Sequence, residues 1–222
     1  MIIAIDGPSG SGKSTLGRML ARALKLLYID TGSMYRAVAL AVIEAELDPT
    51  DVESVTALAN RIDIDLEGDP DSLSVLLDGR DVTEKIRTER VTAMSSVISS
   101  IPGVRRAMVE RQRAIGRRGA VLNGRDIGTI VFPDADVKFF LTAVPEERAE
   151  RRYKEDRSTP GSSATFRETL ADMIERDRRD STRTDSPLKV ADDAIVIDST
   201  GKSIEAVFEE MMGRIANVHR HH

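Results

Sequence analysis

The chain has no cysteine, few aromatic residues (4%), and only three histidines, His219, His221 and His222, all within the last four of its 222 positions. Without cysteine there are no disulfides, thiolate nucleophiles, iron–sulfur ligands or Cys-based zinc sites, and the composition suits a reducing or neutral compartment. With histidine confined to one end, a His base, a His zinc ligand and a Ser-His-Asp triad are all disfavoured. The chemistry therefore falls to Lys, Arg, Asp, Glu and hydroxyl groups. Long hydrophobic runs are lacking too. The N-terminal one, Met1 to Ile5, stops at Asp6 and is too short for a signal peptide or a membrane span. A cytoplasmic protein with no membrane partner is expected. The scarcity of rings leaves little for base stacking, and a net charge of −5 disfavours a nucleic-acid partner.

What is present is arginine in clusters, at 105–118, 148–157 and 176–183, inside an acidic chain whose residues are 41% apolar. Concentrated arginine against an acidic background suits a small polyanion held in a pocket. Apolar runs at Ile2–Ile5, Tyr28–Asp30, Ala120–Leu122, Val137–Leu141 and Ala194–Ile197 read as five core strands. Helical periodicity follows the first strand (Leu16, Met19, Leu20, Ala23, Leu24) and the second (Tyr35, Val38, Ala39, Val42, Ile43). It also closes the chain (Ile204, Val207, Phe208, Met211, Met212, Ile215). The expectation is an α/β fold, a five-stranded parallel sheet flanked by helices. Residues 62–82 break that rhythm: alternating apolar positions and an Asp78-Gly79 pair between β-prone runs predict a small antiparallel sheet. The stretch 156–164 reads as a mobile loop between two arginine-rich helices.

Gly7-Pro8-Ser9-Gly10-Ser11-Gly12-Lys13-Ser14, followed by Thr15, matches G-x-x-x-x-G-K-[ST] in full and stands between a predicted strand and a predicted helix. Glycines there let backbone N–H groups turn inward around phosphates, and the helix adds its positive N-terminus. Lys13 is expected to bridge the β- and γ-phosphates of ATP, and Ser14 to ligate Mg²⁺. The chain has no N-K-x-D motif of a GTPase and no L-S-G-G-Q signature of a transport ATPase. The remaining class is the small P-loop kinases.

Further blocks sharpen this: Asp30-Thr31-Gly32-Ser33-Met34-Tyr35-Arg36, Ile86-Arg87-Thr88, Val104-Arg105 with Arg111-Gln112-Arg113, Gly124-Arg125-Asp126-Ile127-Gly128-Thr129, Phe132-Pro133-Asp134-Ala135 and Arg176-Asp177-Arg178-Arg179-Asp180-Ser181. In order and type they resemble the bacterial cytidylate kinases, a branch of the nucleoside monophosphate kinase family, over roughly residues 1 to 212. The resemblance implies transfer of the γ-phosphoryl group of ATP to CMP or dCMP. It implies that Arg36, Arg125 and Arg183 clamp the acceptor phosphate, and that Thr31 belongs to the acceptor site. Ser96, Arg105 and Asp126 would read the cytosine edge, and Arg176 and Asp180 would meet the sugar. Arg148, Arg151, Arg152 and Arg157 would belong to a lid over ATP, or would simply coat an exposed helix. It divides the chain into a core (about 1–32, 83–147 and 165–218), an acceptor-binding insert (about 33–100), a lid (about 148–164) and a tail without fixed structure (219–222).

The cytosine assignment has chemical support: a carboxylate and an arginine complement an exocyclic amine beside ring acceptors, whereas uracil would set a carbonyl against the carboxylate. Several alternatives stay open. Arg176, Asp180 and Arg183 share one helix face at i, i+4 and i+7, which also describes a solvated salt-bridge row. The scaffold could serve UMP or dTMP, or act as a nucleotide sensor without catalysis. Asn123 stands where related kinases often carry a carboxylate toward the metal, leaving Asp30 and Asp126 as candidates for that support. A monomer is expected.

Overall fold

In a computed structural model, described over residues 1–157 and 164–219, five strands form one parallel sheet. They are β1 (Ile2–Asp6), β2 (Leu27–Asp30), β6 (Ala120–Gly124), β7 (Val137–Thr142) and β8 (Ile195–Asp198), in the order β2-β6-β1-β7-β8. The central strand β1 pairs in parallel with β6 on one side and β7 on the other, Asp6 standing opposite Gly124. Alternation along β1 feeds two cores. Ile3 and Ile5 face one layer, formed with Leu16, Leu20, Val207 and Met211 of α1 (Lys13–Leu24) and α8 (Ile204–His219). Ala4 faces the other, built on α2 (Thr31–Glu44), α3 (Val52–Arg61), α4 (Glu89–Ile98) and α5 (Pro102–Gly116). A sheet buried on both faces needs such near-continuous apolar strands.

The antiparallel sheet expected at 62–82 has three strands, β3 (Ile64–Glu67), β4 (Ser74–Leu77) and β5 (Arg80–Asp81), ordered β3-β4-β5. Asp78 and Gly79 turn between β4 and β5 with φ of 49° and 73°. Two positive φ values make the tight turn whose twist matches the flanking strands. The two arginine-rich helices are α6 (Pro145–Arg157) and α7 (Phe166–Thr182). The latter opens on a capping box, Thr165 and Glu168 satisfying each other's backbone N–H groups. The loop expected between these helices falls largely on 158–163, and the tail beyond His219 on 220–222, both outside the described residues.

Parallel pairing puts the carboxyl ends of β1, β2 and β6 along one edge, where ligands bind in open α/β sheets. The phosphate loop, the start of α2 and the Gly124-Arg125-Asp126 segment all leave the sheet there.

Candidate active site

Backbone shape makes the phosphate loop. Gly7 has φ 144°, and a Cβ there would lie 2.0 Å from the Leu141 carbonyl oxygen, so no side chain fits. Gly10 and Gly12 also take positive φ, Gly12 as the residue that caps α1. Ser11 Oγ donates to the Pro8 carbonyl at 3.0 Å, and Lys13 Nζ donates to the same oxygen at 2.5 Å. Lys13 is buried at the floor of the loop. Burial, then the nearby charges of Arg125 and Arg176, lower the pKa of its ammonium well below the usual lysine range. An arriving phosphate reverses that penalty by supplying the missing negative charge.

A cleft of about 690 Å³ runs from this loop to α4, α5 and α7. Nine cationic side chains and four carboxylates line it, a concentration of positive charge opposite in sign to the whole chain. Of the loop, Ser9, Gly10, Gly12, Lys13, Ser14 and Thr15 face the cleft, while Gly7, Pro8 and Ser11 shape it from behind.

Across from the loop, Asp30 caps α2 through a 3.0 Å bond from Gly32 N–H, and its other oxygen lies 3.4 Å from Arg36. Thr31 Oγ1 donates to the Asn123 carbonyl at 2.7 Å, fastening α2 to the end of β6. Arg125 Nε donates to Asp180 Oδ2 at 2.8 Å, and Arg183 Nη1 lies 3.4 Å from Asp180 Oδ1. Burial raises the Asp180 carboxyl, but Arg125 and Arg176 outweigh it and hold the pKa below the ordinary range. Arg176 is lowered to about 10 by burial and by Arg125, which leaves it a cation at neutral pH.

Arg105 and Asp126 form an ion pair with side chains only 3% and 7% exposed. Arg105 also donates to the Ser99 carbonyl at 3.0 Å and lies over the Tyr35 ring at 5.5 Å. Several buried polar atoms at this cleft have no partner: Arg36 Nε, Arg105 Nε, Arg183 Nη2 and Asn123 Oδ1. Buried polar groups are seldom left unpaired, so the three arginine donors point to an anionic ligand, and the Asn123 oxygen, an acceptor, to a donor or a cation.

The structure thus brings together the phosphate loop, Thr31, Arg36, Arg105, Arg125, Asp126, Arg152, Arg176, Asp180 and Arg183. Three expected residues are placed otherwise. Ser96 is not among the residues lining the cleft; Thr92, Ser95 and Ser99 line it from α4, with Ser95 buried. Arg148 is buried and turned inward, donating to the Ala143 and Ser9 carbonyls at 3.0 Å each and to Asp177 at 2.6 Å, so it braces the phosphate loop from behind. Arg157 is exposed at the end of α6, 5.8 Å from the Tyr153 ring and outside the cleft lining. Two cleft arginines were not anticipated. Arg18 follows Ser14 by four positions on α1, a helical spacing that could have indicated it; Arg87 lies in a recognised block to which no role was attached.

The family profile described as cytidylate kinase matches residues 3–217. A cytidylate kinase of Citrifermentans bemidjiense is 50% identical over 212 residues, covering 95% of this chain and 91% of the relative. One from Clostridioides difficile is 46% identical over 216 residues, covering 97% and 98%. Among solved structures, an uncharacterized protein from Eubacterium ventriosum aligns with a TM-score of 0.53 over 97% of this chain and 98% of that one. At 11% identity it speaks for the fold alone.

Proposed function

The chain belongs to the cytidylate kinase family, and from that premise we propose how its cleft divides the work of moving the γ-phosphoryl group of ATP onto CMP or dCMP. The reaction breaks the bond between the γ-phosphorus and its bridging oxygen and forms one to an oxygen of the acceptor phosphate, yielding ADP and CDP. That acceptor oxygen is already anionic near neutral pH, so no strong base is needed, only positioning, charge neutralisation and exclusion of water. The alternatives of UMP or dTMP specificity and of a non-catalytic sensor find no support among the relatives.

In this reading the phosphate loop cradles ATP and Lys13 meets its β- and γ-phosphates. Arg36, Arg125 and Arg183 hold the acceptor phosphate in line, with Thr31 beside them. Arg176 and Asp180 meet the sugar. The Arg105–Asp126 pair presents a donor and an acceptor to the cytosine edge, with α4 supplying hydroxyls beside it. Arg152 and the end of α6 with Arg157 serve as the lid, and Arg148 supports the loop beneath. The assignment keeps a core at about 1–32, 83–147 and 165–218, with the insert and lid closing over it. The observation that carries it is the spacing of functions along one cleft, an anion-binding loop at one end and a buried arginine–carboxylate pair at the other.

Mg²⁺ fits the same end. The Ser14 hydroxyl accepts from Asn123 Nδ2 at 3.0 Å, and Asn123 Oδ1 is a buried oxygen without a partner. Among the described residues no group of three or more His, Cys, Asp or Glu side chains could hold a metal. Ser14 and Asn123 would therefore hold the ion with few protein ligands, as Mg²⁺ in nucleotide sites commonly is held. Bound with ATP, the ion supplies neutralisation of the phosphate charge. Asn123 lends orientation without charge. No helix among the described residues is long and apolar enough to cross a membrane, and the cysteine-free composition suits a reducing compartment such as the cytoplasm.

The test is ADP release with Mg-ATP and each of CMP, dCMP, UMP, AMP and dTMP. Turnover with CMP and dCMP far above the others is expected. Equal turnover with UMP would remove the base-reading role of Arg105 and Asp126, and no turnover with any acceptor would remove the kinase assignment.

A further inference from the structure

Asp6 is a buried carboxylate for which the phosphoryl transfer just described has no use. It ends β1, 4% exposed, immediately before the phosphate loop. Its side chain does not point along that loop. Oδ1 accepts the N–H of Ile127 at 2.9 Å, and Oδ2 accepts the N–H of Gly128 at 2.7 Å. These two consecutive amides open the short helical turn Ile127–Val131 that follows Gly124-Arg125-Asp126. The Ile127 N–H lies in the same peptide plane as the Asp126 carbonyl, so fixing it fixes the backbone that carries Asp126. That residue has φ −144° and ψ 23°, neither helix nor strand; its carbonyl accepts the Ile130 and Val131 N–H groups at 2.9 and 3.1 Å, and Asp6 holds the N–H side of the same peptide plane. Gly128 completes the seat. A Cβ there would lie 3.1 Å from Lys138 Cδ and 3.4 Å from Asp6 Oδ2, so a side chain would crowd the seat from the Lys138 side while only touching the carboxylate.

We propose that Asp6 is a positioning residue for the acceptor site, holding the Gly124–Asp126 segment so that Arg125 reaches the acceptor phosphate and Asp126 reaches the base. The inference rests on the roles given above to Arg125 and Asp126. It makes one side chain serve two loops: its backbone leads into the donor loop and its carboxylate fixes the acceptor segment. A residue that only fills the sheet edge would affect stability; a positioning residue affects the acceptor selectively.

Asp6→Asn separates these. The amide has nearly the same shape, but its oxygen accepts only one of the two N–H groups and its NH₂ is set against the other, leaving a buried donor unpaired. The KM for CMP is expected to rise by ~10-fold, and the advantage of CMP over UMP to shrink, while the KM for ATP stays within ~2-fold. Gly128→Ala, which crowds the same amide from the Lys138 side, is expected to show the same pattern more weakly and decides the matter if Asp6→Asn does not fold. Unchanged KM for CMP and unchanged CMP/UMP preference, whatever the melting temperature, would overturn the inference, as would an equal rise in both KM values. Asp126→Asn run alongside tests the underlying reading. If it loses discrimination while Asp6→Asn and Gly128→Ala keep it, the inference falls and the reading stands. If Asp126→Asn itself keeps full discrimination, the reading of Asp126 falls.

Discussion

Arg125 Nε and Asp180 Oδ2 meet at 2.8 Å across 55 positions of sequence, joining the segment after β6 to the face of α7. Arg183 shares the same carboxylate from the end of that helix, so one aspartate holds two of the three arginines assigned to the acceptor phosphate. Like charges gathered for a dianion repel each other before it arrives, and Asp180 is what lets them sit together.

Replacing that charge should therefore hurt twice. Asp180→Asn is expected to lower kcat/KM for CMP by at least ~10-fold, as Arg125 and Arg183 lose their common anchor. Breaking one partner out of a fully buried pair costs about 3–5 kcal/mol, and less is expected here because these side chains are 13–17% exposed. Denaturant melts together with CMP kinetics check both parts. An intact kcat/KM would show that the pair is only structural.

Arg183 distinguishes transition-state stabilisation from nucleotide binding. Arg183→Met removes a cation from the acceptor end and leaves the phosphate loop untouched. It should reduce kcat by roughly 10²–10³ while ATP affinity, followed by equilibrium binding, changes little. Wild-type turnover in the variant would withdraw the assignment. The Ser186 carbonyl, which accepts from Arg183 Nε at 2.6 Å, also loses its partner, so a small fall in melting temperature accompanies the effect.

Arg148 should behave differently from the arginines in the cleft. Its guanidinium spans the Ala143 carbonyl, the Ser9 carbonyl of the phosphate loop and Asp177 of α7. Arg148→Met leaves these groups without their donor, and Asp177 Oδ1 is already buried and unpaired. The expected loss of stability is about 2–3 kcal/mol, with a raised KM for ATP and no change in preference between CMP and UMP. Arg148→Lys cannot span three acceptors and should not rescue the loop.

The sheet could be read from the chain because its strands are short, apolar on both faces and set off by Asp6-Gly7 and Asp30-Thr31. The insert could be read because Asp78-Gly79 demands a specific turn. The helices α3, α4 and α5 were harder. Their apolar positions are diluted by charge and hydroxyl groups, and α4 buries only Val91, Ser95 and Ile98. The resemblance implied Ser96, whereas Thr92, Ser95 and Ser99 line the cleft from α4; one residue on a helix is a rotation of about 100°. Motif positions carried Arg36, Arg125 and Asp180. Arg148 could not be told from its neighbours, because a run of arginines does not reveal which one turns inward.

Asp6 offers a prediction in which the sign decides. Burial, opposed by the Ile127 and Gly128 amides and augmented by the nearby Asp126 charge, raises its carboxyl from 3.8 to about 6; Lys13 pulls the other way. A raised carboxyl binds its proton more tightly in the folded state than in the unfolded one. Its stabilising contribution is therefore fully present below about pH 4 and is lost as pH rises through about 6. The shift corresponds to something on the order of 3 kcal/mol between the two ends of that window. Asp180, whose carboxyl is depressed, drives the opposite trend, so the raw pH profile of the protein mixes the two. Comparing the wild type with Asp6→Asn at each pH cancels Asp180 and every other group the two proteins share. The difference in unfolding free energy, wild type minus variant, should fall as pH rises from about 4 to about 6, with about half of the fall complete near pH 5, and level off above. A flat difference would mean that Asp6 titrates in the folded protein as it does in the unfolded chain. A difference that rises with pH would mean that its two amide bonds outweigh its burial, and that the carboxylate holds the acceptor segment more tightly than its seclusion from water implies.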